Sequence, residues 1–128
     1  MALKKRIVVV GAGSIGKRHA RLLLQRPELQ VELCDPDQQA LSEALQQLGE
    51  VPVYKDFDKM LATVPDMVLV ASPHQMHTSH TTSALTAGAH VLCEKPMADR
   101  LESALEAFEM SGKVDKVLSY GFSNHFNP

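Results

Sequence analysis

Cysteine is scarce in this sequence, with only Cys34 and Cys93 present. Two thiols without metal-type spacing build neither a disulfide framework nor a zinc cluster. Both sit in apolar, strand-like runs, so they are expected to be reduced core residues, and no metal site is expected. Long apolar runs are also missing. None approaches the ~20 residues that a membrane helix needs. The opening "MALKKRIVVVGAG" has the basic start of a secretory leader. Its apolar part, however, is short and β-branched and runs directly into a glycine turn, which excludes that reading. No excess of one charge is present either. A net charge of −2 gives no general attraction for nucleic acid or anionic lipid. No repeat, low-complexity tract or internal linker interrupts the chain. What remains is ordinary globular material: 128 residues, 45% hydrophobic and 22% charged, enough for one core. A cytoplasmic protein with neither nucleic-acid nor membrane partners is the expectation.

Short apolar runs alternate with longer amphipathic ones. Strands are expected over 6–10, 30–34, 51–54, 67–71, 90–94 and 116–122. Helices are expected over 14–25, 36–48, 57–63, 77–87 and 98–111. "RIVVV" and "MVLVA" are continuous, short and rich in valine, as strands buried on both faces should be. Between them Ala40, Leu41, Ala44, Leu45 and Leu48 recur at helical spacing, and Gly49 supplies a stop. Alternation of this kind predicts an α/β fold: a doubly wound, Rossmann-type parallel sheet of six strands in the order 3-2-1-4-5-6, with helices on both faces.

The first strand ends in Gly11-Ala12-Gly13-Ser14-Ile15-Gly16, which fits G-x-G-x-x-G between a strand and a helix. Gly11 permits the tight turn, Gly13 lets backbone approach a pyrophosphate, and Gly16 lets the helix pack against the strand. The unpaired N–H groups of the helix's first turn then face phosphate oxygens. Asp35 closes the second strand at the spacing expected of a carboxylate that accepts hydrogen bonds from the adenosine ribose. The alternative is a structural turn with Asp35 as a helix cap, since Pro36 suits a helix start. Pro36, Asp37, Gln38 and Gln39 include no base to receive a 2′-phosphate, which favours NAD over NADP. Glycines after the first strand and an acid after the second also suit class I methyltransferases.

The second half decides between these. The stretch "HVLCEKP" carries an apolar strand straight into an acid, a base and a proline. Charge at the mouth of a buried strand is costly unless something there uses it. Alternation places Val91, Cys93 and Lys95 on one face of the strand and Leu92 and Glu94 on the other. Pro96 breaks the strand and fixes the local path. Lys95 would then stand at the carboxyl edge of the sheet, beside the nicotinamide half of the cofactor, where an amine can hydrogen-bond a substrate hydroxyl and exchange its proton. The alternative is a solvated lysine paired with Glu94 or Asp99.

Taken in order, "VVVGAGSIGKRHA", "CDPD", "ASPHQMH", "HVLCEKPMA" and "SYGFSNHFNP" resemble the Gfo/Idh/MocA family of oxidoreductases over the whole chain. Glu-Lys-Pro after the fifth strand and Ser-Pro-x-x-x-His after the fourth are far more specific than the glycines, and they displace the methyltransferase reading. The resemblance implies an NAD-dependent dehydrogenase acting on a hydroxyl-bearing carbon of a sugar, cyclitol or sugar nucleotide. Gly11, Gly13, Ser14, Ile15 and Gly16 would surround the pyrophosphate, and Asp35 would hold the ribose. Ala71, Ser72, Pro73 and His77 would line the cofactor pocket, and Glu94, Lys95 and Pro96 would form the signature, with Lys95 catalytic. His74 stands where Asn is frequent in the family and His125 where Arg is often found. Helix capping is the alternative role for His74 and His77. Residues 1–122 would be the dinucleotide-binding domain. Residues 123–128 would begin the connection to a substrate domain that lies beyond this chain and that usually forms the oligomer interface. Without that domain the chain is expected to bind cofactor and turn over little. Two further possibilities are a relative that uses NAD transiently to cleave glycosidic bonds, and a stand-alone nucleotide-binding or redox-sensing module.

Overall fold

The valine-rich runs form the inner strands of one parallel sheet, and the amphipathic segments pack on its two faces. The computed structural model describes residues 4–93 and 118–120. The expected helix over 98–111, the signature Glu94-Lys95-Pro96 and His125 lie outside the described residues. In chain order the elements are β1 (Lys5–Val10), α1 (Ser14–Leu23), β2 (Leu29–Cys34), α2 (Gln38–Leu48), β3 (Val53–Tyr54), α3 (Phe57–Ala62) and β4 (Met67–Val70). A single 3₁₀ turn (His74–Met76), α4 (His77–Thr86), β5 (His90–Cys93) and β6 (Leu118–Tyr120) follow. The strand order is β3-β2-β1-β4-β5-β6, with every pair parallel, as the sequence pattern predicts.

β1 lies at the centre and pairs with β2 on one side and β4 on the other. The chain therefore winds outward in two directions from the β1–β4 boundary. The loops that leave these two strands diverge, and a crevice opens between them at the carboxyl edge.

Alternation explains why these strands are apolar throughout. Ile7 and Val9 of β1 join Val31, Leu33, Leu69 and Leu92 in a cluster that packs against Leu23 of α1 and Leu41 of α2. Val8 and Val10 join Val68, Val70 and Val91 in a second cluster against Met60 of α3 and Ala84 of α4. Each strand thus serves a core above and a core below the sheet. Val91 and Leu92 fall on opposite faces, as expected.

Two expected starts need correction. β3 spans Val53–Tyr54 and not 51–54; Pro52 has no N–H to give to a ladder, and only its carbonyl is used, by Leu33 N–H at 3.0 Å. α2 begins at Gln38 and not at Pro36, because Asp37 is the cap: its carboxylate accepts from Gln39 N–H and Ala40 N–H. Before α4, residues 74–76 form a 3₁₀ turn, and Met76 occupies the N-cap position.

One feature runs against the apolar pattern. Glu32 sits in the middle of β2 and is buried. Arg6 on β1 reaches it through two bonds, Nε to Oε2 and Nη2 to Oε1, each 2.9 Å. Gln30 Nε2 donates to Oε2 at 2.7 Å, and the Tyr54 hydroxyl donates to Oε1 at 3.1 Å. Arg6 also donates to the Thr63 carbonyl and hydroxyl, both at 2.8 Å. The cluster ties β1, β2, β3 and the end of α3 together under the sheet face that carries α3.

Candidate functional site

The turn after β1 is built by sterics. Gly11 has a φ of 109°, in the region that a side chain disfavours, and a Cβ there would lie 2.6 Å from the Ala71 carbonyl oxygen. Gly16, one turn into α1, is tighter still: a Cβ would lie 1.7 Å from the Gly11 carbonyl oxygen. Gly13 differs. A Cβ there would meet nothing within 4 Å. Two of the glycines therefore let the helix, the turn and the end of β4 touch, while the third faces open space. That is the arrangement needed if something outside the protein has to approach its backbone.

The helix that follows is left open at its start. α2 and α3 are capped by Asp37 and Asp56. α1 has Gly13 at its N-cap, no side-chain cap and no acid in its first turn. Its leading N–H groups and the positive end of its dipole are available to an anion.

Asp35 does not cap α2. Its Oδ2 accepts from Ala12 N–H at 2.8 Å and its Oδ1 from Asp37 N–H at 2.8 Å. The carboxylate thus bolts the end of β2 to the glycine turn. It stands half-buried at the rim with lone pairs still to offer.

These pieces border one cleft of about 910 Å³, of the size that takes a large organic ligand. Of the residues singled out from sequence, Gly11, Gly13, Ser14, Ile15, Asp35, Ala71, Ser72 and Pro73 line it. Gly16 does not, because it is buried inside the helix–turn contact. His77 is the first residue of α4. The cleft also takes in Lys55, Phe57 and His80, which the sequence reading passed over. Lys55 and Phe57 follow β3, and the rule that ligands bind at the carboxyl ends of such strands would have drawn attention to them. His80 lies one helical turn beyond His77.

The lower wall is an aromatic stack. The rings of Phe57 and His80 have centroids 4.3 Å apart and are tilted by 31°. His80 Nδ1 lies 2.8 Å from Ser72 Oγ, and the tautomer decides which of the two donates. Ser72 is buried at the end of β4, so its hydroxyl rotor is held by the ring. Cys34 lies at the back of the cleft, free and buried. Burial pushes its thiol up to about 12, with the charges of Asp35 and Asp56 adding to the effect. It stays protonated at neutral pH and is a poor nucleophile.

The donors and acceptors suit a dinucleotide: an open helix start for a diphosphate, a fixed carboxylate for ribose hydroxyls, and an apolar, partly aromatic wall. Comparison with known proteins agrees. A model of the Gfo/Idh/MocA oxidoreductases, described as an NAD-binding Rossmann fold, matches residues 5–122. The chain belongs to this family. Among its relatives, D-glucoside 3-dehydrogenase of Escherichia coli (strain K12) is 39% identical over 124 residues, covering 94% of this chain and 35% of that protein. Inositol 2-dehydrogenase of Corynebacterium glutamicum (strain R) is 32% identical over 132 residues, covering 100% and 39%. The crystal structure of scyllo-inositol dehydrogenase from Lactobacillus casei, with bound NAD(H) and scyllo-inositol, superposes with a TM-score of 0.71 at 28% identity, covering 97% of this chain and 38% of that one. The chain therefore spans little more than a third of the length of the Gfo/Idh/MocA relatives it matches. Among the described residues, no helix is long and apolar enough to cross a membrane.

Proposed function

We propose that this chain is the cofactor-binding part of an NAD-dependent dehydrogenase that oxidises or forms a secondary alcohol on a sugar, cyclitol or sugar nucleotide. The observation that carries the reading is the uncapped start of α1 beside a glycine whose Cβ direction is empty, with Asp35 tied to the same turn. Ser14 and Ile15 would offer backbone N–H groups to the diphosphate, and Asp35 would accept from the adenosine ribose hydroxyls. Ala71, Ser72 and Pro73 would border the path toward the nicotinamide. The nicotinamide ring supplies or takes up the hydride when bound. Lys95, two residues beyond the last residue of β5, would hold the substrate hydroxyl and take its proton as the carbon gives up hydride. NAD is preferred to NADP because a 2′-phosphate would meet the Asp35 carboxylate.

Gly13→Ala separates binding from folding. The new methyl has space, and its cost at an N-cap is less than about 1 kcal/mol. It also stands where the ligand must approach, so NAD affinity should fall at least about tenfold. Calorimetric titration together with thermal melting checks both halves. Undiminished NAD binding by this variant, or no binding of millimolar NAD by the unmodified chain, would overturn the reading. Lys95→Ala, made in a protein of the relatives' full length, should abolish turnover and leave NAD affinity in place; steady-state kinetics with a panel of cyclitols and sugars measures the first, titration the second.

A further inference from the structure

The sequence following Asp35 holds no base, and the case for NAD over NADP starts there. The fold alters that picture by bringing in a cation from the neighbouring strand. β3 pairs with β2 so that Tyr54 stands beside Cys34, and Asp35 N–H donates to the Tyr54 carbonyl at 3.0 Å. Asp35 and Lys55 therefore leave adjoining parallel strands at the same level of the sheet, and both line the cleft. Lys55 is exposed, and among the described residues it has no ion pair or hydrogen bond. Among the described residues that line the cleft, it is the one lysine or arginine.

The acids at this corner are already engaged. Both oxygens of Asp35 accept backbone N–H groups, from Ala12 and Asp37. Asp37 Oδ1 accepts from Gln39 and Ala40 at the start of α2. These donors draw off part of the negative potential that a 2′-phosphate would meet, whereas among the described residues no partner draws off the charge of Lys55.

We propose that Lys55 is a second determinant of cofactor choice: its ammonium attracts a 2′-phosphate at the adenosine end of the cleft and makes the preference for NAD partial. The proposal rests on the dinucleotide reading above. It is tested on the full chain by calorimetric titration with NAD and with NADP, at low and at high salt, using the unmodified protein, Lys55→Ala and Lys55→Glu. The quantity read is the ratio of the NADP to the NAD dissociation constant. Removing one exposed cation should raise this ratio about fivefold in Lys55→Ala, and Lys55→Glu should raise it further. The gap between the variants should narrow at high salt, where exposed charges are screened. A ratio that Lys55→Glu leaves unchanged, or NADP binding too weak to detect in the unmodified protein, would overturn the role of Lys55. Absence of binding by both nucleotides would instead remove the dinucleotide reading and this inference with it.

Discussion

Gly16→Ala should unfold the chain or lower its melting temperature by about 10 °C or more. A Cβ at this position would lie 1.7 Å from the Gly11 carbonyl oxygen, well inside contact distance, and the next-nearest atom is the Gly11 carbonyl carbon at 2.8 Å. Both are backbone atoms, so no side chain can swing aside. Relief requires α1 to move away from the turn and from β1, which opens the packing of Ala20 and Leu23 against the sheet. Overpacking of this severity costs roughly 3 kcal/mol or more, a large share of the stability of a small domain. Circular dichroism through a thermal ramp checks the expectation. Melting within a few degrees of the unmodified chain would show that the helix–turn contact yields easily. The pairing with Gly13→Ala is informative because the two alanines sit three residues apart in one motif. One should damage the fold and the other the binding, since one Cβ points into the protein and the other out of it.

The second large effect is expected at Glu32. Burial alone would raise this carboxyl, but the hydrogen bonds from Arg6 and Gln30, the charge of Arg6 and the bond from Tyr54 outweigh it, and the group lies below its ordinary value of 4.5. Glu32→Ala removes the acceptor of two Arg6 bonds, along with those of Gln30 and Tyr54. Stranding one member of such a pair costs about 3–5 kcal/mol; because the Arg6 side chain keeps a quarter of its surface in water, the lower end is expected. Replacing both partners by apolar residues, Arg6→Met with Glu32→Leu, should recover much of the loss. Urea unfolding of the unmodified chain and both variants measures this, and a double variant no more stable than Glu32→Ala would contradict it.

The same pair predicts a pH dependence with a definite sign. Because the folded-state value of Glu32 is depressed, its contribution is fully present above the unfolded value of 4.5 and is lost as pH falls through the lower folded value. The acid limb of the stability curve should therefore be steeper in the unmodified chain than in Glu32→Gln, which binds no proton in that range. Equal slopes below pH 4.5 would mean that the carboxylate titrates alike in the folded and unfolded chains.

The architecture was legible because it follows from patterns along the chain. Continuous runs such as Ile7 to Val10 and Met67 to Val70 can only satisfy cores on two faces, and amphipathic segments between them force parallel pairing. Given right-handed crossovers, few strand orders remain. Glycines followed by an acid after the next strand then identified the turn and its ligand class, and Asp35 does stand at the turn. Its attachment was less visible. Asp37, not Asp35, caps α2, and nothing in "CDPDQ" distinguishes two acids flanking a proline until one of them finds Ala12 N–H, 23 residues away in the chain.

Read as a sequence, the chain settled its fold class, its central turn and its family, because hydrophobic period and glycine spacing act through neighbours in the chain. Only the tertiary structure showed that Glu32 is neutralised from the adjoining strand, that Phe57 and His80 stack beneath the cleft, and that Lys55 comes level with Asp35. Those pairings join residues between 20 and 26 positions apart; strand register brings Arg6 to Glu32 and Lys55 to Asp35, and the packing of α3 and α4 on one face of the sheet brings Phe57 to His80. Parallel register is decided by the whole sheet packing at once, which no local stretch encodes.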